Sequence, residues 1–562
     1  MSLRVPFTFL SIAFVALAAG CSDEARVTLQ LPAGADEAAE AIDAETLRSI
    51  VEALSSDEMA GRGPATDDDR HVREYLIDYL ASVGAQPGAA DGSWQQRLEL
   101  VSVTATMPET WSFHSGGESV DLAWWDEYVA ASGVQEEAVS IEDAELVFVG
   151  YGITAPEENW DDYKGVDLTG KVLLMLNNDP DWDPALFAGT RRLYYGRWTY
   201  KYESAARQGA AGAIIIHTTP SAGYGFTVVQ NGWSGPQFQL PARDGAKIAF
   251  EGWVTEDAAK RLLALGGHDL DELVAQARTR EFEPVPLAIT TSFTFSNEID
   301  RNSLSANVLG LIPGSDPVLA DELVIYTAHH DHLGVAKPDE DGDAIYNGAR
   351  DNASGCAVIL SVAKAFDALP EPPRRSVLFL LVGAEEQGLL GSKLYADNPT
   401  VHPGRIVANI NVDSAAIFGA ARDVAVIGAG KSELEDLLVQ AAAKQNRVVV
   451  GEPFPDKGYY YRSDQFNFAK IGVPALYFKA GTDSVEHGRE WGREMEDRWR
   501  AERYHQPGDE IYDEWDFGGM IEDARLAFWV GLHVANTDHL PAWRPGDEFE
   551  RIRRQMLAER PD

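Results

Sequence analysis

Leu323-Val324-Ile325-Tyr326-Thr327-Ala328-His329-His330-Asp331-His332 is the stretch whose reading decides the fold. Leu323 to Thr327 is an apolar and β-branched run that reads as a buried strand, and it ends in three imidazoles and a carboxylate. The pattern recurs twice: Ser376 to Val382 runs into Gly383-Ala384-Glu385-Glu386-Gln387-Gly388, and Ile406 to Val412 runs into Asp413. Open α/β sheets collect functional residues at the carboxyl ends of their strands, so these side chains can converge although far apart in sequence. From Asn302 onward strand and helix alternate, which predicts an α/β fold with a mostly parallel mixed sheet covered by helices on both faces.

Two further stretches complete the candidate site: Gly348-Ala349-Arg350-Asp351-Asn352-Ala353-Ser354-Gly355 and Tyr504-His505-Gln506-Pro507. Asp351 opens a predicted helix that Asn352 or Ser354 can cap. Its carboxylate has two oxygens free to bridge two ions, and the plainer alternative is a capping Asp. Strand alternation puts His329 and Asp331 on one face, the pairing in which a carboxylate orients a metal-bound imidazole. By the same rule His330 and His332 point away and are expected to be packing or rim residues. Glu385 and Glu386 repel one another unless a cation is present; one can bind metal while the other takes a proton from water. The alternative is a solvated acidic turn. Asp, Glu and His without cysteine suit zinc, manganese or cobalt in a hydrolytic role.

The motifs AHHDH, NGARDNASG, GAEEQGLLGS, NVD and YHQPGD resemble the co-catalytic zinc peptidases of the bacterial leucyl aminopeptidase type, a fold shared with glutamate carboxypeptidase. The resemblance covers Ala44 to Asn536. It implies a zinc exopeptidase fold in which His329 and Asp413 hold one Zn2+, Glu386 and His505 hold a second, and Asp351 bridges them. Glu385 is then the general base, and Asp331 supports His329. Mn2+ or Co2+ are possible substitutes. Where many relatives have Ser-Asp-His this chain has Ser463-Asp464-Gln465, so Gln465 is assigned no role. The acidic and aromatic stretch from Ser484 to Arg503 is expected to shape the rim of the cleft.

Around this core the 562 residues divide into further segments. Arg4 precedes an apolar stretch from Phe7 to Ala19, too short to span a bilayer but suited to a signal peptide over residues 1–20. It runs into Leu17-Ala18-Ala19-Gly20-Cys21, which resembles a bacterial lipobox with Cys21 lipidated. Plain secretion with an incidental cysteine is the alternative. With Ser22 next, the expectation is an exported, outer-membrane-anchored lipoprotein facing the periplasm or the exterior, touching membrane only through that lipid. Residues 21–43 are expected to be a tether and residues 44–121 the first part of the peptidase domain. Residues 122–286 read as an inserted β-rich domain that looks like a protease-associated (PA) domain, from its Gly150-Tyr151-Gly152 turn and KYESAARQGAAGAIIIH segment. The second peptidase part follows over residues 287–540, then a polar tail over 541–562 that wraps the surface. Cys356, the only other cysteine, reads as a packed core thiol. Asp339-Glu340-Asp341-Gly342-Asp343 superficially resembles a calcium loop, but Arg350 stands where a bidentate Glu is required.

The formal charge of −42 opposes phosphate backbones and excludes nucleic acid as a natural partner. Peptides are the expected substrates. A carboxypeptidase clamps a terminal carboxylate with Arg or Lys, and the motifs offer Arg350 and Arg462 against a surplus of acid, which favours an aminopeptidase. The rivals are a carboxypeptidase of the same family, a glutaminyl-cyclase-like single-zinc transferase and a catalytically silent binding ectodomain.

Overall fold

The computed structural model describes residues 27–243, 245–336, 338–339 and 342–561. The expected signal peptide and Cys21 lie outside these residues, as do Glu340 and Asp341 of the acidic run. Among the described residues no helix is long and apolar enough to cross a membrane.

Four strands build the parallel centre of the sheet: Ser376–Val382, Leu323–His329, Ile406–Asn411 and Ala475–Ala480. Leu323 lies opposite Ser376 and His329 opposite Val382, while Thr327 pairs with Asn411 and Asn411 with Tyr477. Antiparallel neighbours flank this centre, residues 308–312 on one side and residues 424–426 on the other. Strands this apolar are stable only when covered on both faces. Val324, Tyr326 and Ala328 face one cluster with helices Ala44–Leu54, Ser354–Asp367, Leu434–Lys444 and Gly518–Asn536. Leu323 and Ile325 alternate to the opposite cluster, with Tyr395 and Phe468. Gly531 shows how closely the first layer approaches: a Cβ there would lie 1.8 Å from the Tyr326 hydroxyl, which donates to the Ala527 carbonyl at 2.9 Å.

A second lobe stands beyond the sheet. Its strands Val172–Leu176, Gly212–His217 and Phe250–Thr255 run parallel, and Tyr128–Ser132 pairs antiparallel on the edge. The lobe starts earlier than residue 122. The Thr110–Ser115 and Glu118–Ala123 hairpin belongs to it because Trp111 stacks on Phe293 at 4.1 Å and joins the lobe's apolar cluster with Phe113 and Leu122. Nor does it end cleanly at 286. One strand, Val285–Ile312, pairs first with residues 138–148, then with 95–106, and finally with 377–381 of the central sheet.

Two terminal expectations are corrected. From Val27 onward the supposed tether packs on the core: Ala35, Ala38, Ala39 and Ile42 are buried, and the Gln30 amide donates to His533 Nδ1 at 2.9 Å. Small apolar side chains at helical spacing provide that contact surface, so the described residues 27–43 form no free tether. The polar tail is likewise pinned, with Trp543 and Phe549 buried ahead of helix Glu550–Ala558 and Lys431 paired to Asp547 at 3.1 Å and Glu548 at 2.8 Å.

Candidate metal centre

The parallel strands all end at one edge, and the candidate residues follow those ends. His329 closes its strand, Glu385 and Glu386 come just after Val382, and Asp413 comes just after Asn411. Asp351 lies in the irregular turn Ala349–Ala353 before helix Ser354–Asp367, and the Asp351–Asn352 peptide is cis. Ala353 at the N-cap of that helix offers no side-chain cap, and Asn352 Oδ1, one residue earlier, accepts from the Gly355 amide at 2.9 Å. His505 follows helix Gly488–Glu502.

Asp351 sits between two groups. Its Oδ1 is 3.3 Å from His329 Nε2, which is also 3.9 Å from Asp413 Oδ1. Its Oδ2 is 3.3 Å from His505 Nε2, which is 3.2 Å from Glu386 Oε2. Ligand atoms of His329, Glu385 and Asp413, and those of His329, Asp351 and Glu386, lie within 4.8 Å of one another. Glu385 therefore lies near enough to count among the donors.

The cluster fits divalent cations. Its donors are carboxylate oxygens and imidazole nitrogens, with no thiolate among them. His505 Nε2 is shielded from solvent and has no hydrogen-bond partner although two carboxylate oxygens face it. Burial together with the charges of Glu386, Asp464 and Asp413 holds the Glu385 carboxyl well above its usual range, with His329 opposing. Burial disfavours the charged form of His505, yet the Asp351 and Glu386 carboxylates overcome it and push the ring up to about 10. So much negative charge gathered at one buried point fits a divalent cation.

Several supports were not legible as site residues. Asp509, fully buried, accepts from the Asp351 amide at 3.0 Å, the Arg350 amide at 3.2 Å and Trp499 Nε1 at 3.2 Å, fixing the turn that carries Asp351. Its only sequence signal was membership of the YHQPGD stretch. Arg62 donates to the carbonyls of Leu54, His330, Asn347 and Gly348 at 2.6 to 2.9 Å, stapling both loops from below. Those acceptors lie in three separate segments, so no local pattern announces the role.

The expectation for His332 is corrected. The strand ends at His329, so its two-residue alternation stops there, and the chain turns His332 back into the site with Nδ1 2.8 Å from Glu386 Oε1. His330 is a buried packing residue, its Nε2 3.1 Å from the Ala306 carbonyl. Asp331 supports the site by a different route from the one expected. His329 Nδ1 donates to the Asp331 backbone carbonyl at 3.2 Å, while the Asp331 carboxylate lies 3.9 Å off and accepts from the Glu385 and Glu386 amides at 3.0 and 3.3 Å. Gln465 is structural, accepting from Asn411 at 2.9 Å. The Cys356 thiol donates to the His329 carbonyl at 3.1 Å, and burial pushes it up to about 12. Helix Gly488–Glu502 reaches the Asp351 turn through Trp499, whose indole donates to Asp509 at 3.2 Å, and through Glu496, which pairs with Arg350 at 2.7 Å.

A parallel α/β sheet with clustered imidazoles and carboxylates at its strand ends defines the class of metal-dependent hydrolases. Residues 307–527 match the profile of peptidase family M28. Mouse aminopeptidase NAALADL1 is 34% identical over 140 residues, 24% of this chain and 17% of that one. Bacillus subtilis aminopeptidase YwaD is 25% identical over 222 residues, 37% of this chain and 43% of that one. The chain thus spans less than half the length of the curated relatives it matches. Among solved structures, the aminopeptidase from Aneurinibacillus sp. strain AM-1 is 21% identical with a TM-score of 0.47, over 90% of this chain and 97% of that one. A zinc aminopeptidase from Bacillus subtilis is 17% identical with a TM-score of 0.39, over 91% and 97%.

Proposed function

We propose that the protein is a di-zinc aminopeptidase that removes N-terminal residues from peptides. The observation carrying this reading is that the two oxygens of Asp351 face two different imidazoles at 3.3 Å each. Asp351 would share its carboxylate between two ions, with His329 and Asp413 completing one set and Glu386 and His505 the other. When bound, the ions would polarise the scissile carbonyl and bring the pKa of water towards neutrality. Glu385, beside both ligand sets but counted in neither, takes the proton of the attacking water on its carboxylate and passes it to the leaving amine. Asp331 holds the Glu385 and Glu386 amides, so the base and its neighbouring ligand keep their relative positions.

The choice of peptide end rests on charge. Asp351, Glu385, Glu386, Asp413 and Asp464 crowd five carboxylates together, with Lys479 acting on Asp413, and an α-ammonium suits such an acidic setting. Arg350 is not free to clamp a carboxylate: it pairs with Glu496 at 2.7 Å and lies over the Trp499 ring at 4.3 Å. A carboxypeptidase is the second reading, favoured by Arg462, which stands two residues before Asp464, a carboxylate whose charge acts on Glu385. Metal analysis combined with assays on aminoacyl amides decides the matter. We expect two zinc ions per chain and turnover abolished by acetylating the substrate amine. A single ion would favour the transferase-like rival, none the silent ectodomain, and cleavage of amino-blocked peptides the carboxypeptidase.

The same reading takes the second lobe as a PA-type insert limiting access to the cleft. It takes the protein as exported and held at the outer membrane through a lipid on Cys21, with no nucleic-acid partner.

A further inference from the structure

His332 has an environment that packing alone does not require. The ring is fully buried, and Nδ1 lies 2.8 Å from Glu386 Oε1. A carboxylate oxygen can only accept, so this pairing places the proton on Nδ1. The backbone of His332 is held as well, because its amide donates to the Arg62 carbonyl at 3.1 Å while the Arg62 guanidinium staples the His330 and Gly348 carbonyls on either side. The ring is wedged against Gly348, where a Cβ would fall 2.6 Å from both Cγ and Cδ2 of the imidazole. Gly348 also has a φ of 57°, in the left-handed region that favours glycine. On its remaining side the ring meets His505 edge-on, with centroids 5.6 Å apart.

The two oxygens of Glu386 are thereby divided. Oε1 accepts from His332, and Oε2 faces His505 Nε2 at 3.2 Å. We propose that His332 is a positioning residue that holds Glu386 as a one-oxygen ligand, leaving Oε2 alone to share an ion with His505 and Asp351. The inference rests on the metal reading above. A carboxylate that engages through one oxygen occupies less of an ion's coordination sphere than one that chelates, and catalytic sites need that open position for water or substrate. A hydrogen bond to the far oxygen also fixes the carboxylate's orientation. Partners of this kind commonly change metal affinity by about 10- to 100-fold.

The test separates the donor from the ring. His332→Phe keeps a planar ring and loses the donor; His332→Asn loses the ring but carries its amide nitrogen where Nδ1 stood. Chelator-stripped wild type and variants are titrated with zinc against a chromophoric competitor, with melting followed in chelator. We expect the wild type to bind two ions and His332→Phe to bind one of them about 10- to 100-fold more weakly. Melting in chelator should be little changed, and His332→Asn should recover most of the affinity. In turnover, kcat should fall in His332→Phe while KM holds. If the phenylalanine variant does not fold, His332→Gln, whose amide reaches one bond farther out, replaces it as the misplaced donor. Wild-type affinity for both ions in His332→Phe, or an asparagine variant as impaired as the phenylalanine one, overturns the proposal while the two-ion reading stands. A wild type that binds one ion overturns that reading, and the Phe–Asn contrast at the remaining ion still decides the role of His332. A wild type that binds none overturns both.

Discussion

Asp509→Ala is the sharpest test of how the site is held together. The carboxylate of Asp509 is fully buried and satisfies three donors: the Arg350 amide, the Asp351 amide and the Trp499 indole. Truncation leaves all three without a protein acceptor, and each buried orphan costs on the order of 1–3 kcal/mol. Part of that is returned, since burial and the neighbouring Asp351 charge already raise the Asp509 carboxyl above its usual range and both penalties vanish with it. The net loss should be about 2–3 kcal/mol of stability. Asp509→Asn keeps one acceptor oxygen but turns an amide towards the remaining donors, so it should recover about 1 kcal/mol of the loss. Urea unfolding followed by tryptophan fluorescence, in excess chelator so that metal binding does not contribute, measures both. Because the Asp351 amide is released, the alanine variant should also bind metal more weakly. A midpoint within about 0.5 kcal/mol of wild type, with metal binding unchanged, would refute the idea that Asp509 fixes the Asp351 turn.

Other expectations follow from the same geometry. Glu385→Gln should keep fold and metal while losing about 100- to 10,000-fold in turnover; if it releases metal while Glu386→Gln retains it, the two roles are exchanged. Asp351→Ala should lose both ions and His505→Ala mainly one, and two tightly held ions in the Asp351 variant would sink the bridging assignment. Since nearby carboxylates hold His329 and His505 above the usual imidazole range, both rings are protonated near pH 7 in the metal-free protein. Loading should then release protons, from these two rings and from the Glu385 carboxyl, and affinity should rise with pH towards the value of about 10 to which His505 is pushed. No proton release in a weakly buffered titration would mean the rings are already neutral. Cys21→Ser should yield a soluble protein or block maturation; a processed variant that still fractionates with membranes places the anchor elsewhere.

The order of elements along the chain made the peptidase core readable. Apolar runs such as Ser376 to Val382 can only be central strands, and carboxylates placed just beyond them have nowhere to go but the strand ends. That is why His329, Glu385, Glu386 and Asp413 could be named before any distance was known. Asp351 and His505 lie outside the strands; residue type and local turns marked them as candidates, and the resemblance of their motifs gave each its place in a ligand set.

What sequence alone determined was therefore the local part: apolar strand runs such as Leu323 to Thr327, the alternation of strand and helix from Asn302 onward, and the residue types of a cation site. Tertiary structure decided everything that depends on backbone meeting backbone. The strand rule failed at His332 because periodicity ends where the ladder ends, after His329. The tether reading failed because the fit of Ala35, Ala38 and Ile42 against the core depends on a surface built by residues hundreds of positions away. Arg62 and Asp509 hold the site through carbonyls and amides, groups that every residue carries and no sequence distinguishes. Side-chain chemistry is written residue by residue, whereas the position of main-chain donors and acceptors exists only once the chain has folded.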